Sequence, residues 1–190
     1  MHILDSSSDI ITQLRKSNLS NEMRSLEASD WLVCEKHDDK ILGAAGIGGI
    51  FHTSSIFIDD ASRGKGYGKK IQQGLIDEAK KRNYSFVTVF VDPRNASSTK
   101  MHDDLGYRTI FRIYYSEEII QDIKIIIFKK KGLFVKSLLS YFNTKIGNFF
   151  LACILKIFKN YFKTIFAYDE NKIPNLNFKL FIKNFEKIKF

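Results

Sequence analysis

Short apolar runs alternate with polar turns from residue 1 to about residue 131, the pattern of an α/β domain. Residues 1–4 predict a short strand, and residues 7–15 and 20–26 predict two helical pieces of polar character. Residues 31–35 and 41–47, joined through His37-Asp38-Asp39, predict a hairpin, and residues 54–58 a further strand. Across residues 69–82, Ile71, Leu75, Ile76 and Ala79 recur at helical spacing. Lys80-Lys81-Arg82-Asn83 then places cations at the negative end of that helix, followed by a residue tolerant of left-handed backbone. Residues 86–91 form an apolar strand-like run, and residues 109–115 and 124–128 predict a closing hairpin around the polar stretch 116–122.

The pattern changes in residues 132–190, which predict an amphipathic helical extension to the 1–131 domain. The extension holds ten lysines, no arginine and three acids, so it carries +7 of the chain's +9, with 14 of the 25 Phe and Tyr residues. On a helical wheel Lys145, Lys156, Lys159 and Lys163 fall on one side, while Ile146, Phe150, Ile154, Ile157, Tyr161 and Ile165 gather opposite. A helix of this kind suits peripheral contact with a membrane through residues 133–166; covering the core or forming a homodimer seam are the other uses open to it. Its longest uncharged run, 146–155, is far short of the ~20 residues needed to cross a bilayer. Aromatics on the apolar stripe and the lack of arginine argue against nucleic acid. The sequence after Pro174 alternates lysine with phenylalanine and reads as a further amphipathic piece or a frayed end.

Length allows one ordinary domain with a sizeable core plus the extension. Cys34 and Cys153 stand far apart without metal spacing, which argues against a disulfide framework or a zinc site. No apolar run follows the first residues, so no signal peptide is expected and a cytoplasmic setting is the default.

The chemistry-bearing segment is Arg63-Gly64-Lys65-Gly66-Tyr67-Gly68, between a predicted strand and a predicted helix. The first amides of a helix lack partners and face the positive end of its dipole, so anions settle there. Glycines permit positive φ and remove Cβ atoms that would hold a diphosphate away. Arg63, Lys65, Lys69 and Lys70 add cations. Two phosphate motifs fail on spacing: counting back five from Gly68 reaches Arg63 where the Walker pattern needs glycine, and Gly64, Gly66 and Gly68 do not give the dinucleotide fingerprint. What remains is Arg-x-x-Gly-x-Gly, followed downstream by Asn95, Ser98, Met101 and Leu105-Gly106-Tyr107.

These two segments together resemble the GNAT superfamily of acetyl-CoA-dependent N-acetyltransferases, over about residues 1–131. The resemblance implies a mixed, twisted sheet flanked by helices, with the fourth and fifth strands splayed around the pantetheine arm of acetyl-CoA. It implies backbone contacts from Ile56 and Ile58 and diphosphate contacts from Arg63, Gly64, Lys65, Gly66, Tyr67, Gly68 and Lys69, with Asn95 beside the thioester. Asn95 is equally an ordinary helix N-cap. An amine acceptor, here a small molecule such as an amino sugar, would attack the thioester directly in a ternary complex. Many members use a tyrosine to protonate the leaving thiolate; this chain has His102 there, the expected general acid, with packing as the alternative. The general base is not readable: the strand glutamate of several members is missing, and His52, Asp59 and Asp60 are the nearby candidates. The alternative function is a CoA-binding module that has lost catalysis and docks to a membrane through its tail.

Overall fold

The computed structural model describes residues 2–5, 12, 26–38, 40–114, 119–158, 161 and 164–165. The helical pieces expected at 7–15 and 20–26 fall almost wholly outside them, as do Lys159, Lys163 and the sequence after Pro174. The chain runs β1 (His2–Asp5), β2 (Trp31–His37), β3 (Lys40–Gly48) and β4 (Thr53–Ile58), then α1 (Tyr67–Lys81), β5 (Phe86–Val91) and α2 (Ala96–Asp104). It continues with β6 (Arg108–Tyr114), β7 (Ile120–Ile127), α3 (Lys130–Ser140) and α4 (Lys145–Ile157).

One seven-stranded sheet has the order β1-β2-β3-β4-β5-β7-β6. Every neighbouring pair is antiparallel except β4 and β5. That parallel pair is held at only two places, Thr53 opposite Thr88 and Ser54 opposite Val89. Beyond them β4 stays paired with β3, Ile56 opposite Ala45 and Ile58 opposite Gly43, while β5 leans toward β7. The strands therefore part after Ser54, and the β4 edge carrying Ile56 and Ile58 borders a gap.

Side-chain alternation along β5 divides the core between the two faces of the sheet. Val87, Val89 and Val91 pack with Ile71, Leu75 and Ile76 of α1. Phe86 and Phe90 pack on the opposite face with Ile123 and Ile125 of β7, Leu139 of α3 and Leu151 of α4. The C-terminal helices thus cover one face of the sheet.

Two expectations require correction. β7 begins at Ile120, not near residue 124. The polar stretch enters the sheet because its charges are paired: Arg112 donates to Asp122 at 2.5 Å and Lys124 to Asp103 at 2.7 Å. The 145–165 stripe is not one continuous helix: α4 stops at Ile157, and α3 precedes it, with the Thr144 hydroxyl capping α4 at Gly147 N.

Candidate active site

After Ile58 the chain turns tightly, with the Ser62 amide donating to the Asp59 carbonyl (2.8 Å) and the Ser62 hydroxyl to the Asp59 carboxylate (3.2 Å). Lys40 reaches the same carboxylate at 3.1 Å, and its hydrogen bond holds Asp59 below the usual carboxylate range. This turn delivers Gly64 and Gly66 in left-handed conformations, φ 75° and 83°. A side chain there would be strained by backbone sterics alone, since a Cβ on either glycine meets nothing within 4 Å. Gly66 opens α1: its carbonyl accepts the Lys70 amide at 3.2 Å. No side chain caps this helix and no acid lies in its first turn, so the amides of Tyr67, Gly68 and Lys69 meet solvent at the positive end of the dipole.

The turn, the free edge of β4 and the entry to α2 enclose a groove of about 680 Å³. Its walls hold Ile56 and Ile58 of β4, Arg63, Gly64, Gly66, Tyr67, Gly68 and Lys69 of the turn and α1, and Asn95 at the start of α2. Nine of the ten binding residues expected from the sequence therefore meet here. Lys65 is the exception and lines a neighbouring cavity with His37, Asp38 and Lys40. Lys70 points to the Glu35 carboxylate of β2 at 2.5 Å, which lowers the Glu35 pKa. Asn95 caps α2, its side-chain oxygen accepting the Ser98 amide at 3.0 Å while the residue also lines the groove.

Ser62, Ser97, Ser98, Lys100, Met101 and Asp104 complete the walls and were not assigned binding roles from the sequence. The one signal available for two of them was the i, i+4 spacing of Lys100 and Asp104. Asp104 draws Lys69 (3.3 Å) and Lys100 (3.4 Å) to the groove rim, and their hydrogen bonds hold its carboxyl low.

His102 does not reach the groove. It is 1% exposed, beneath α2 and edge-on to Tyr107. Its Nδ1–H donates to the Ser98 carbonyl at 2.8 Å. Burial lowers its pKa, so the ring is neutral with its one proton already committed. Ser98 and Met101 line the groove, whereas the ring of His102 packs inward against Tyr107. The base candidates lie elsewhere as well. His52 meets Tyr84 edge-on and lies tilted against Phe86 beyond the closed end of the β4–β5 pair, and Asp60 holds Arg63 at 3.0 Å.

At the point where the strands part, Gln72 of α1 is fully buried and donates to Ser54 Oγ (3.1 Å) and Tyr107 Oη (2.9 Å). This polar cluster ties α1, β4 and the start of β6 together at the throat of the gap.

A strand parted from its neighbour beside an uncapped, glycine-flanked helix entry suits an extended ligand that carries an anion. The model of the GNAT acetyltransferase family matches residues 5–107, just over half of the sequence, and the chain belongs to that family. A curated relative, the L-methionine sulfoximine/L-methionine sulfone acetyltransferase of Salmonella typhimurium, is 34% identical over 53 residues, 28% of this chain and 31% of that protein. The match thus spans about a third of that relative's length. Among solved structures, a Bacillus subtilis acetyltransferase in complex with CoA superposes with a TM-score of 0.51 at 13% identity, over 67% of this chain and 97% of that chain. An N-acetyltransferase from Staphylococcus aureus Mu50 gives a TM-score of 0.44 at 24% identity, over 50% and 64% of the two chains. The first of these likenesses shows the fold.

Proposed function

We propose that the chain transfers an acetyl group from acetyl-CoA to a primary amine of a small molecule. One observation carries the reading: β4 leaves β5 after Ser54, and the gap leads directly to the uncapped entry of α1. The residues fit the co-substrate. Amides of Tyr67 to Lys69 and the cations Arg63, Lys69 and Lys100 suit a diphosphate, and the edge of β4 at Ile56 and Ile58 suits an amide-bearing arm. When bound, acetyl-CoA supplies an activated carbonyl in the gap. The protein's part is to hold that carbonyl and the amine in one complex, which by itself accounts for a large share of the rate. His102 acts in this reading as a packing residue between α2 and Tyr107, not as a proton donor.

Two further observations bear on the acceptor. The Salmonella relative is named for small amino-acid derivatives, which favours a small amine over a protein terminus. An amino sugar is the particular acceptor we put forward, on the strength of the basic C-terminal segment. Release of free thiol from acetyl-CoA, followed with a panel of amino sugars, amino acids and polyamines, tests the reaction, and mass spectrometry identifies the product. Acetylation of at least one amine above the background rate is expected; calorimetry with coenzyme A showing no binding would overturn the reading.

A further inference from the structure

We infer that the outer face of α3 and α4 docks onto an anionic lipid surface. A helix packed on a sheet normally turns its apolar stripe inward, and here much of that stripe is turned outward. The side of α4 that meets the sheet presents Gly147, Asn148 and Leu151, and the Asn148 amide donates to the carbonyls of Phe142 (3.2 Å) and Arg112 (3.5 Å). Ile146, Phe150, Ile154 and Ile157 face solvent, with Ile157 72% exposed, and α3 adds Phe134 at 73% and Leu138 at 57%. Side chains of this size gathered on two successive helices form a patch of the kind that marks an interaction site.

Charge selects the occupant. No acid occurs between Asp122 and Asp169, a stretch that holds nine lysines, of which Lys130, Lys131 and Lys145 are exposed on these two helices. Apolar side chains sink into the acyl boundary while lysines meet lipid phosphates. A second copy of the chain would instead bring two lysine-bearing, acid-free faces together, so a symmetric contact is opposed by like charge. Among the described residues no helix is long and apolar enough to cross a membrane, so the contact is peripheral. α1 packs on the other face of the sheet, so docking leaves the glycine turn in water, and the inference does not depend on acetyl transfer.

The test uses the full chain in a flotation assay with vesicles of phosphatidylcholine, alone or mixed with phosphatidylglycerol. Retention is expected on the mixed vesicles, weakened by salt, with unchanged coenzyme A affinity. Replacing Phe134, Ile146 and Ile157 together by Ser removes only exposed side chains and should weaken retention about tenfold or more. The pair Lys130→Glu and Lys131→Glu should weaken it by a similar factor and reads the same surface should the triple variant lose its fold by circular dichroism. Equal recovery with and without phosphatidylglycerol overturns the inference. So does light scattering that gives twice 22.0 kDa without lipid, when the triple variant restores the monomer.

Discussion

One methyl group at Gly68 separates ligand binding from folding. Its backbone is ordinary helix, and an added Cβ would stand 3.4 Å from the Met101 sulfur, inside the groove but without a clash. Gly68→Ala should therefore raise stability by about 0.5–1 kcal/mol, as alanine does over glycine in a helix. It should at the same time weaken coenzyme A by about tenfold in calorimetry, because the methyl group occupies the approach to the helix amides. Gly66→Ala, at φ 83°, should instead lower stability by about 1 kcal/mol as well as affinity. His102 gives a second residue-scale prediction through its depressed pKa. In the unfolded chain it takes up a proton near pH 6.5, whereas the buried ring resists it, so the unfolded state binds more protons below that pH. Its contribution is complete above about pH 6.5 and is lost as pH falls. Melting temperature should decline from pH 7 to 5, and His102→Gln should flatten that decline; His52, also lowered by burial, keeps part of it. With both proteins folded at pH 7.5, turnover should differ by less than about threefold, since no proton transfer is removed. A loss of a hundredfold would restore His102 as the acid.

At the scale of elements, the gap depends on where the β4–β5 pairing stops, and a threonine pair marks that place. Thr53 Oγ1 and Thr88 Oγ1 lie 3.2 Å apart, and Thr88 also donates to the Phe51 carbonyl at 2.9 Å. Thr88→Val keeps the shape but removes the hydroxyl partner of the buried Thr53 and one donor to the Phe51 carbonyl, at a cost of about 1–3 kcal/mol in urea unfolding. Loosening the closed end should also raise the KM for acetyl-CoA. Of the strands that form this device, β5 was readable to the residue from its apolar run, Phe86–Val91, because packing on both faces leaves almost no polar position. The glycine turn was readable because its chemistry is local. β7 was misplaced because Asp122 and Lys124 look like loop residues until Arg112 and Asp103, distant in sequence, neutralise them. The same holds for Gln72: nothing local says that a polar residue on the inner side of α1 will meet Ser54 and Tyr107. His102 lies between these cases, since its position in a motif was clear but its side of a nine-residue helix was set by packing.

For the whole molecule, the open question at the sequence level was whether residues 132–190 are an appendage, and the packing of α3 and α4 bears on it directly. Leu139 and Leu151 lie within the core cluster with Ile110, Phe111, Ile113, Ile123 and Ile125, all nearly inaccessible. Gly132 is held so close to the Ser85 carbonyl that a Cβ would come within 2.5 Å of it. Farther on, the amides of Ile50 and Phe51 in the β3–β4 turn donate to the carbonyls of Thr164 (3.3 Å) and Ile165 (3.1 Å). The extension thus runs back to the turn whose Phe51 carbonyl receives Thr88, at the closed end of the gap. A chain ending at residue 131 would uncover the apolar face of β6 and β7, losing about 1.5–3 kcal/mol for each large side chain exposed, and about four such losses reach the usual margin of a domain. The truncated chain should therefore aggregate or bind a hydrophobic dye, and show little coenzyme A binding even though every groove residue is retained. A cooperative melt and unchanged affinity for the truncated chain would instead establish the 1–131 segment as an independent domain. Leu151→Ala in the full chain offers a graded version of the same measurement, with an expected loss of about 2–5 kcal/mol and an intact groove.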